Sequence, residues 1–188
     1  MKATVVTAPE HRYFPPYSMK VFLAGGICKC PQWQQSVIEL FKNHEVSLMS
    51  PYKHFFILNP RRVDWIDEPG AAERQIEWEF DMIEKCDMFT MYFSGGESDQ
   101  PICMYELGRN LERMKQKFPG TWTERIVITC DSSYKRLNDV LVQTSLATDD
   151  KIKVNVVNGE KESILAHFNA IAEKLDLVDW EGDDYYAF

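Results

Sequence analysis

The segment PICMYELG, residues 101–108, contains the first candidate for chemistry in this sequence. Glu106 precedes Leu107, which belongs to a predicted helical core stripe, so we expect its carboxylate to be partly shielded from water. A position in the first or second turn of that helix favours the ionised form, because the N-terminal end of a helix is electropositive. Such a carboxylate can act as a nucleophile or stabilise positive charge. The alternative is an ion pair with Arg109 or Arg113 on a solvated helix face.

A second carboxylate, Glu79, lies in the segment QIEWEFDMIEKCD. Gln75 and Glu79 are four residues apart and flank a predicted core stripe formed by Ile76, Phe80 and Ile83. We expect both in the half of the helix nearer the carboxyl edge of the sheet. Two carboxylates on adjacent helices, one ionised and one able to carry a proton, suit cleavage of a glycosidic bond through an oxocarbenium-like transition state.

Two residues close to these carboxylates in sequence are assigned structural roles. Gly108 interrupts a predicted helix, where glycine costs about 1 kcal/mol relative to alanine. We therefore expect Gly108 to permit close packing of its backbone on a strand or a ligand. Asp87 opens a predicted strand at the opposite edge of the sheet, and this position favours a turn or a cap over catalysis.

Strand-like and helix-like segments alternate along the chain and predict the elements that position these groups. The predicted strands are MKVFLAGG, FFILNP, DMFTMYFSGG, ERIVITC and KIKVNVV, and a helical segment follows each of them. This order predicts a doubly wound, three-layer α/β fold with a parallel sheet of five strands. We interpret residues 1–188 as one domain. Residues 1–19 are then either an arm or an extra edge strand, and residues 179–188 form an acidic and aromatic tail.

The loops after the strands are where an open α/β sheet binds its ligands. They contain Gly25-Gly26 after the first core strand, Asn59-Pro60-Arg61-Arg62-Val63-Asp64 after the second, and Ser94-Gly95-Gly96 after the third. None of these loops has the spacing of a P-loop or of a dinucleotide-binding fingerprint. Glycine in such loops is also ordinary turn chemistry.

The composition excludes several classes of partner. The net charge is −8 and the basic residues are scattered, which disfavours a nucleic acid polymer. No segment approaches the roughly 20 apolar residues of a membrane span, and the N-terminus lacks a signal-peptide pattern. The five cysteines are odd in number and lack the spacing of a zinc site. We expect a soluble cytoplasmic protein with reduced thiols, no membrane contact and no metal.

Four motifs in order resemble the nucleoside 2-deoxyribosyltransferase family, in its branch with the Asn-Pro-Arg-Arg signature. They are VFLAGGI with a following helix that contains Trp33, LNPRRVDW, QIEWEFDMIEKCDMFTMYF and PICMYELG. Together they extend from about Val21 to Phe118. The resemblance implies a flavodoxin-like fold with a five-stranded parallel sheet.

The resemblance also implies roles for individual residues. The glutamate of the Glu-Leu-Gly motif, here Glu106, attacks the anomeric carbon of a 2'-deoxyribonucleoside, and Glu79 assists near the sugar and the base. The predicted substrate-binding residues are Gly25, Gly26, Asn59, Arg61, Asp64, Gln75, Ser94, Gly95 and Phe188.

This sequence departs from the family pattern at two positions. Members of the family have a tyrosine in the first strand that hydrogen-bonds the nucleophile, whereas the matching residue here is Phe22, which cannot. Another group must then position the nucleophile. The base-contacting aspartate that precedes the Glu-Leu-Gly motif has only an approximate match in Asp99, offset by one residue. The base preference is therefore left open.

The resemblance favours a nucleoside 2'-deoxyribosyltransferase that works through a covalent glutamyl-deoxyribose intermediate, without metal or cofactor. Its partners are then small molecules, namely nucleosides or nucleotides and nucleobases. One alternative is an N-glycoside hydrolase that acts on nucleosides or 5'-monophosphates, with Arg61 or Arg62 as phosphate ligands. A further alternative is a flavodoxin-like nucleotide-binding module without catalysis.

The tail, GDDYYAF, carries three aromatic residues that are unusual in a disordered acidic end. Similar family members end in an aromatic residue that helps to close a substrate pocket near a subunit interface. We therefore expect a homo-oligomer, at least a dimer, in which Phe188 and its neighbours pack over a pocket.

Overall fold

A parallel six-stranded sheet forms the centre of the molecule in the computed structural model, which describes residues 1–48, 51–62 and 68–177. The strands are β1 (Thr4–Thr7), β2 (Ser18–Gly25), β3 (His54–Asn59), β4 (Met88–Phe93), β5 (Ile126–Asp131) and β6 (Asn155–Val157). They lie in the order β1-β3-β2-β4-β5-β6. The α/β class and the parallel sheet are therefore confirmed.

The strand count differs from the predicted five because the N-terminal segment joins the sheet. β1 pairs in parallel with β3, from Thr4 opposite Phe56 to Thr7 opposite Asn59. Its sequence TVVT is rich in β-branched residues, which suit a strand, and it covers what would otherwise be the open edge of β3. The other five strands have the order typical of flavodoxin-like folds.

Five helices form the outer layers. They are α1 (Trp33–Asn43), α2 (Ala71–Lys85), α3 (Pro101–Lys117), α4 (Leu137–Thr148) and α5 (Glu160–Leu177), with a short 3₁₀ helix at Trp122–Arg125. Side chains of α1 and α5 pack in one core cluster with one face of the sheet. Side chains of α2, α3 and α4 pack in a second cluster with the other face. The arrangement confirms the three predicted layers.

The strand order creates a crevice between β2 and β4. The chain passes from β2 to β3 on one side and then returns past β2 to form β4 on the other side. β2 and β4 pair directly, from Val21 opposite Met88 to Gly25 opposite Tyr92. Loops that leave neighbouring strands in opposite directions leave a gap at the carboxyl ends, where ligands bind in such folds.

The buried face of α2 is not the predicted stripe. Ile76 and Phe80 are 64% and 51% exposed, and only Ile83 of the three is buried. The helix instead buries Trp78 and Met82 against the sheet. The indole of Trp78 donates a hydrogen bond to the backbone oxygen of Glu10 at 2.7 Å, and this large side chain fixes the rotation of the helix.

The two residues assigned structural roles near the carboxylates differ in their contacts. The predicted packing of Gly108 on a strand is wrong, because a side chain there would meet nothing within 4 Å among the described residues. The contacts of Asp87 are structural but do not cap a helix: its carboxylate lies 2.7 Å from Lys20 Nζ and accepts a hydrogen bond from the Lys20 backbone N–H in β2. None of the helices in the described ranges has the length and apolarity of a membrane span.

Candidate active site

A cavity of about 290 Å³ opens at the carboxyl ends of β2 and β4. One wall comes from the loop after β2, a second from the start of α3, and Glu79 of α2 completes the site. The lining residues are Phe22, Ala24, Gly25, Gly26, Ile27, Cys28, Pro60, Glu79, Ser98, Asp99, Gln100, Pro101, Ile102, Cys103 and Glu106. The cavity thus lies in the crevice that the strand order creates, and it contains both candidate carboxylates.

Glycines shape the floor of the cavity. Gly25 has a φ of +152°, and a side chain there would overlap the Tyr92 carbonyl oxygen and the ring of Trp33. A side chain at Gly26 would overlap Cys30 Sγ and would crowd the Gln100 amide. The indole of Trp33 donates a hydrogen bond to the Gly26 carbonyl oxygen at 3.0 Å. Both predicted glycine positions therefore lie where the backbone itself forms the wall.

Glu106 faces this cavity as the sixth residue of α3, which begins at Pro101. Burial and the neighbouring Glu79 carboxylate raise the pKa of Glu106 from its ordinary 4.5 to about 7. The expectation that the helix N-terminus keeps it ionised is thus wrong. The free N–H groups belong to the first turn and their field fades beyond it, so burial outweighs the dipole in the second turn.

Glu79 is positioned by a hydrogen bond within α2. Gln75 Nε2 donates to Glu79 Oε1 at 2.7 Å and to the Pro60 carbonyl oxygen at 2.6 Å. Burial raises the pKa of Glu79, and the Gln75 hydrogen bond partly offsets that rise. Gln75 itself does not line the cavity; it connects α2 to the end of β3.

The ion-pair alternative for Glu106 does not occur in the structure. Arg113 pairs with Glu84 at 2.7 Å, and the Arg109 guanidinium lies over the ring of Phe80, 5.0 Å from its centre. The described residues place no hydrogen-bond donor on the Glu106 carboxylate. Among the described residues, the carboxylate therefore has no hydrogen-bond or ion-pair partner, and Arg109 acts on it only as a nearby charge.

Two residues of the loop after β3 support the site from behind the cavity wall. Asn59 accepts a hydrogen bond from the Arg61 backbone N–H and donates one to the Arg61 carbonyl oxygen. Arg61 Nη2 donates to the carbonyl oxygens of Ile27 and Cys30 at 2.6 and 3.2 Å. Of the described residues in this loop, Pro60 lines the cavity. The predicted position Asp64 lies outside the described residues, as does Phe188.

The loop after β4 divides between two cavities. Gly95 lines a second, polar cavity of about 270 Å³ together with Asp131 and Ser133. Ser94 is buried and lines neither of these two cavities; its carbonyl oxygen accepts a hydrogen bond from Gln100 Nε2 at 2.9 Å. The structure therefore separates these two predicted binding residues from the carboxylate pair.

Gln100 is a cavity residue that the sequence interpretation missed. Its amide nitrogen is held by Ser94, while Oε1 is buried without a hydrogen-bond partner, and the residue is 5% exposed. Its backbone has a left-handed φ of 46° just before Pro101. By contrast, the exposed carboxylate of Asp99 pairs with Lys135 at 2.8 Å. The sequence does contain a signal for Gln100. This residue ends a loop at the carboxyl edge of the sheet and directly precedes Pro101, which opens a helix.

Phe22 is the residue at which the resemblance led us to expect a tyrosine. It is buried, lines the cavity and stacks on Phe89 with ring centres 6.4 Å apart. It offers no hydrogen bond to Glu106, as the sequence implied. Within the described residues, no three side chains of the metal-ligating types His, Cys, Asp and Glu come together.

Comparisons with known proteins bear on the same part of the chain. Residues 18–119 match the family model described as nucleoside 2-deoxyribosyltransferase like, and this span is more than half of the 188 residues. It includes β2, β4, α2 and α3, and so both carboxylates of the cavity. A search of curated proteins finds no match. The chain belongs to the nucleoside 2-deoxyribosyltransferase-like family.

Proposed function

We propose that this protein transfers 2'-deoxyribose between nucleobases, through a covalent intermediate on Glu106. The observation that carries the proposal is the pair of Glu79 and Glu106 in one cavity, with the pKa of Glu106 raised partly by the charge of Glu79. Carboxylates coupled in this way lose their protons one at a time. Family membership supports glycosyl transfer as the general kind of function.

The singly protonated pair holds what the first step requires. In its reactive form Glu106 is ionised and Glu79 carries the proton. A Glu106 oxygen forms a bond to the anomeric carbon while the bond from that carbon to the base nitrogen breaks. Glu79, or a water molecule that it polarises, delivers a proton to the departing base. The products are a free base and a deoxyribosyl ester of Glu106.

The second step reverses the first with a different base. A nitrogen of the incoming base attacks the anomeric carbon, the ester bond breaks, and Glu79 accepts the proton that this base loses. Two inversions give net retention of configuration. The Gly25 and Gly26 backbone is proposed to contact the substrate directly, whereas Asn59, Arg61 and Gln75 hold the surrounding loops and Glu79 in place.

The buried oxygen of Gln100 adds a preference to this proposal. Because the amide nitrogen is engaged by Ser94, the unpartnered atom of this cavity-lining residue is an acceptor. A buried acceptor without a donor is costly, so a substrate that supplies an N–H or O–H group at that point gains affinity. The Gly26 backbone, which leaves no room for a side chain, brings that acceptor close to the floor.

The hydrolase alternative uses the same first step and differs in the acceptor. If water attacks the deoxyribosyl ester, the product is free deoxyribose. Arg61 Nη2 already donates to two backbone carbonyls, so a 5'-phosphate would have to bind through the other N–H groups of this guanidinium.

One incubation separates these activities. The protein is mixed with deoxyinosine and adenine, and the products are resolved by chromatography. We expect deoxyadenosine and hypoxanthine in equal amounts. Hypoxanthine without deoxyadenosine would identify a hydrolase. The absence of both products would favour the binding module without catalysis. The variant Glu112→Gln, on the exposed side of the same helix, is the control that should retain activity.

We also propose that two copies of the chain associate through an apolar surface beside the cavity. This surface, the α2–α3 patch, consists of Ile76, Phe80, Ile102 and Tyr105, which are 51% to 67% exposed. Together these side chains expose on the order of 500 Å² of largely apolar surface, a large share of the roughly 800 Å² that one partner contributes to a stable interface.

Two features favour a second copy as the occupant of the α2–α3 patch. Ile102 also lines the cavity, so a partner on the patch lies at the cavity mouth and excludes water from it. The Arg109 guanidinium stacks at the centre of the patch, and the exposed acidic residues Glu73 and Glu77 lie on the same helix as Phe80. A two-fold contact can pair the cation of one copy with an acid of the other.

A further inference from the structure

The structure places a pair of thiols on the loop that forms one wall of the cavity. All five cysteines are free; Cys28 is exposed and Cys30 is partly buried, whereas Cys86, Cys103 and Cys130 are buried in the core. We propose that Cys28 and Cys30 are a site of reversible oxidation, at which a peroxide converts the two thiols to a disulfide. The effect of this disulfide on catalysis rests on the proposed function; its formation does not.

The loop already bends the two cysteines toward each other. Lys29, between them, has a left-handed φ of 56°, and the Cys30 backbone N–H donates to the Ile27 carbonyl oxygen in a turn. Cys30 Sγ lies 3.4 Å from the Cys28 carbonyl oxygen, so the thiol of residue 30 points back over residue 28. The Cys28 side chain is exposed, and forming the bond draws the Cys30 thiol further toward residue 28.

A fixed cation stands beside this pair. Arg61 Nη2 bonds the carbonyl oxygens of Ile27 and Cys30, and its guanidinium interacts electrostatically with both thiols. These bonds hold the segment from Ile27 to Cys30, which carries both thiols, in its bent conformation.

The oxidation balances with hydrogen peroxide as the oxidant. The Cys28 sulfur attacks one peroxide oxygen, the O–O bond breaks, and the products are a sulfenic acid and one water molecule. The Cys30 sulfur then attacks the sulfenic sulfur, a second water leaves, and the disulfide forms. Two thiols lose two electrons and two protons in total. A small dithiol reverses the reaction by thiol–disulfide exchange.

Oxidation changes the wall of the cavity because Cys30 packs against its floor. A side chain at Gly26 would overlap Cys30 Sγ, which shows how closely this sulfur fits against the backbone of residue 26. Drawing the sulfur toward Cys28 removes that packing and moves the segment from Gly26 to Cys28, which lines the cavity. We expect substrate positioning to suffer, since displacements of about 1 Å can cost roughly 10²-fold in rate.

Peptide mass mapping tests disulfide formation without reference to any activity. The full-length reduced protein is treated with hydrogen peroxide, its remaining thiols are alkylated, and it is digested. The peptide with Cys28 and Cys30 should lose two hydrogen atoms in mass and escape alkylation, and dithiothreitol should reverse both effects. Cys30→Ser should stop the reaction at a sulfenic acid on Cys28, which dimedone traps, whereas Cys130→Ser should behave as the wild type.

The contrary outcomes are equally distinct. Full alkylation of both thiols after peroxide treatment overturns the proposal, and so does a disulfide from Cys30 to Cys103. In a parallel measurement, deoxyribosyl transfer by the wild type should fall by roughly 10- to 100-fold on oxidation and recover with dithiothreitol. A protein that forms the disulfide and keeps its transfer rate contradicts the effect on the cavity. A protein without transferase activity that still forms the disulfide contradicts the proposed function alone.

Discussion

At the scale of single residues, the account depends on the coupling between Glu79 and Glu106. Both carboxyl groups have raised pKa values, mainly because they are buried, and Glu79 contributes further to the rise at Glu106. Of the two carboxylates, only Glu79 accepts a hydrogen bond from Gln75, and this bond favours the anion there. In the proposed mechanism, Glu79 carries the proton and Glu106 is ionised in the reactive form.

Glu106→Gln should abolish turnover and stabilise the fold at alkaline pH. Turnover should fall by roughly 10³-fold or more, because an amide cannot form the covalent intermediate. The raised pKa of Glu106 means that the folded protein loses stability as pH rises from about 4.5 through about 7. The variant lacks this loss, so its free energy of unfolding above pH 8 should exceed the wild-type value by about 1–3 kcal/mol, with no gain at pH 4.5.

Denaturant unfolding above pH 8 and at pH 4.5 measures the difference in free energy of unfolding between Glu106→Gln and the wild type. Glu112→Gln on the exposed side of α3 is the matched control and should change neither turnover nor the pH dependence of stability. A Glu106→Gln protein with wild-type turnover would remove Glu106 from the mechanism.

Glu79→Gln should change the shape of the pH profile as well as the rate. The wild-type kcat/KM should fall above about pH 7 as the pair loses its shared proton. Without Glu79 the pKa of Glu106 drops, because a neighbouring charge is removed, and activity should rise with pH to a plateau. The rate itself should fall by roughly 10²- to 10⁴-fold. A profile that matches the wild type, as expected for Glu112→Gln on the exposed side of α3, would show that Glu79 carries no proton.

At the scale of elements, α3 shows how a rigid helix presents Glu106 to the cavity. Pro101 starts the helix, and the buried side chains of Leu107, Leu111 and Met114 anchor it on the sheet. This anchoring fixes the direction of Glu106 one turn into the helix. Gly108 contributes nothing to the anchoring, because it faces open space.

Gly108→Ala should therefore stabilise the protein. Alanine restricts the unfolded chain and favours the helix, and its Cβ meets no neighbour, so the free energy of unfolding should rise by about 0.5–1 kcal/mol. Chemical denaturation monitored by circular dichroism checks this, with deoxyribosyl transfer as a parallel readout that should not change. Destabilisation would mean that the backbone at Gly108 packs against a partner after all.

Sequence patterns predict these elements well because their signals are local. The strand runs and the helix-opening Pro101 predict β2, β3, β4 and α3, and their order predicts the parallel sheet. The rotation of α2 is different, since Ile76 and Phe80 have helical spacing, yet Trp78 takes the buried position. Competition between two apolar faces is decided by the sheet that the helix meets, and spacing alone does not contain that information.

The candidate site is predicted less completely than the fold for the same reason. Glu79, Glu106, Gly25 and Gly26 line the cavity because strand ends and helix starts converge there. The raised pKa of Glu106 follows from burial, which depends on the packing of two helices that are distant in sequence. Residues placed by loop conformation, such as Gln100, have no periodic signal to reveal them.

At the scale of the whole molecule, the association that we propose through the α2–α3 patch would link assembly to the cavity. The helical spacing of Ile76 and Phe80 is that of a core stripe, yet both side chains are exposed in the single chain. A contact between two copies gives that apolar stripe a buried environment, because the hydrophobic effect favours its removal from water. The same contact covers the cavity mouth beside Ile102.

Substituting the patch should separate the copies. The wild type should have at least twice the 21.9 kDa mass of one chain in light scattering, and Ile76→Glu with Phe80→Glu should reduce it to one chain. The separated protein should hydrolyse more of its deoxyribosyl intermediate relative to transfer, since water reaches the cavity. Val142→Glu with Leu146→Glu on α4 is the control, because those residues are equally exposed and lie outside the patch. A monomeric wild type would refute the association.

The most direct test of the central claim is chemical trapping of the covalent intermediate. A 2'-fluoro-2'-deoxy nucleoside slows breakdown of the ester, and rapid quenching followed by peptide mass mapping then locates the sugar. We expect one adduct, on Glu106, that is absent from Glu106→Gln and present in Glu112→Gln. An adduct on another residue, or inverted configuration at the anomeric carbon of the product, would contradict a covalent intermediate on Glu106.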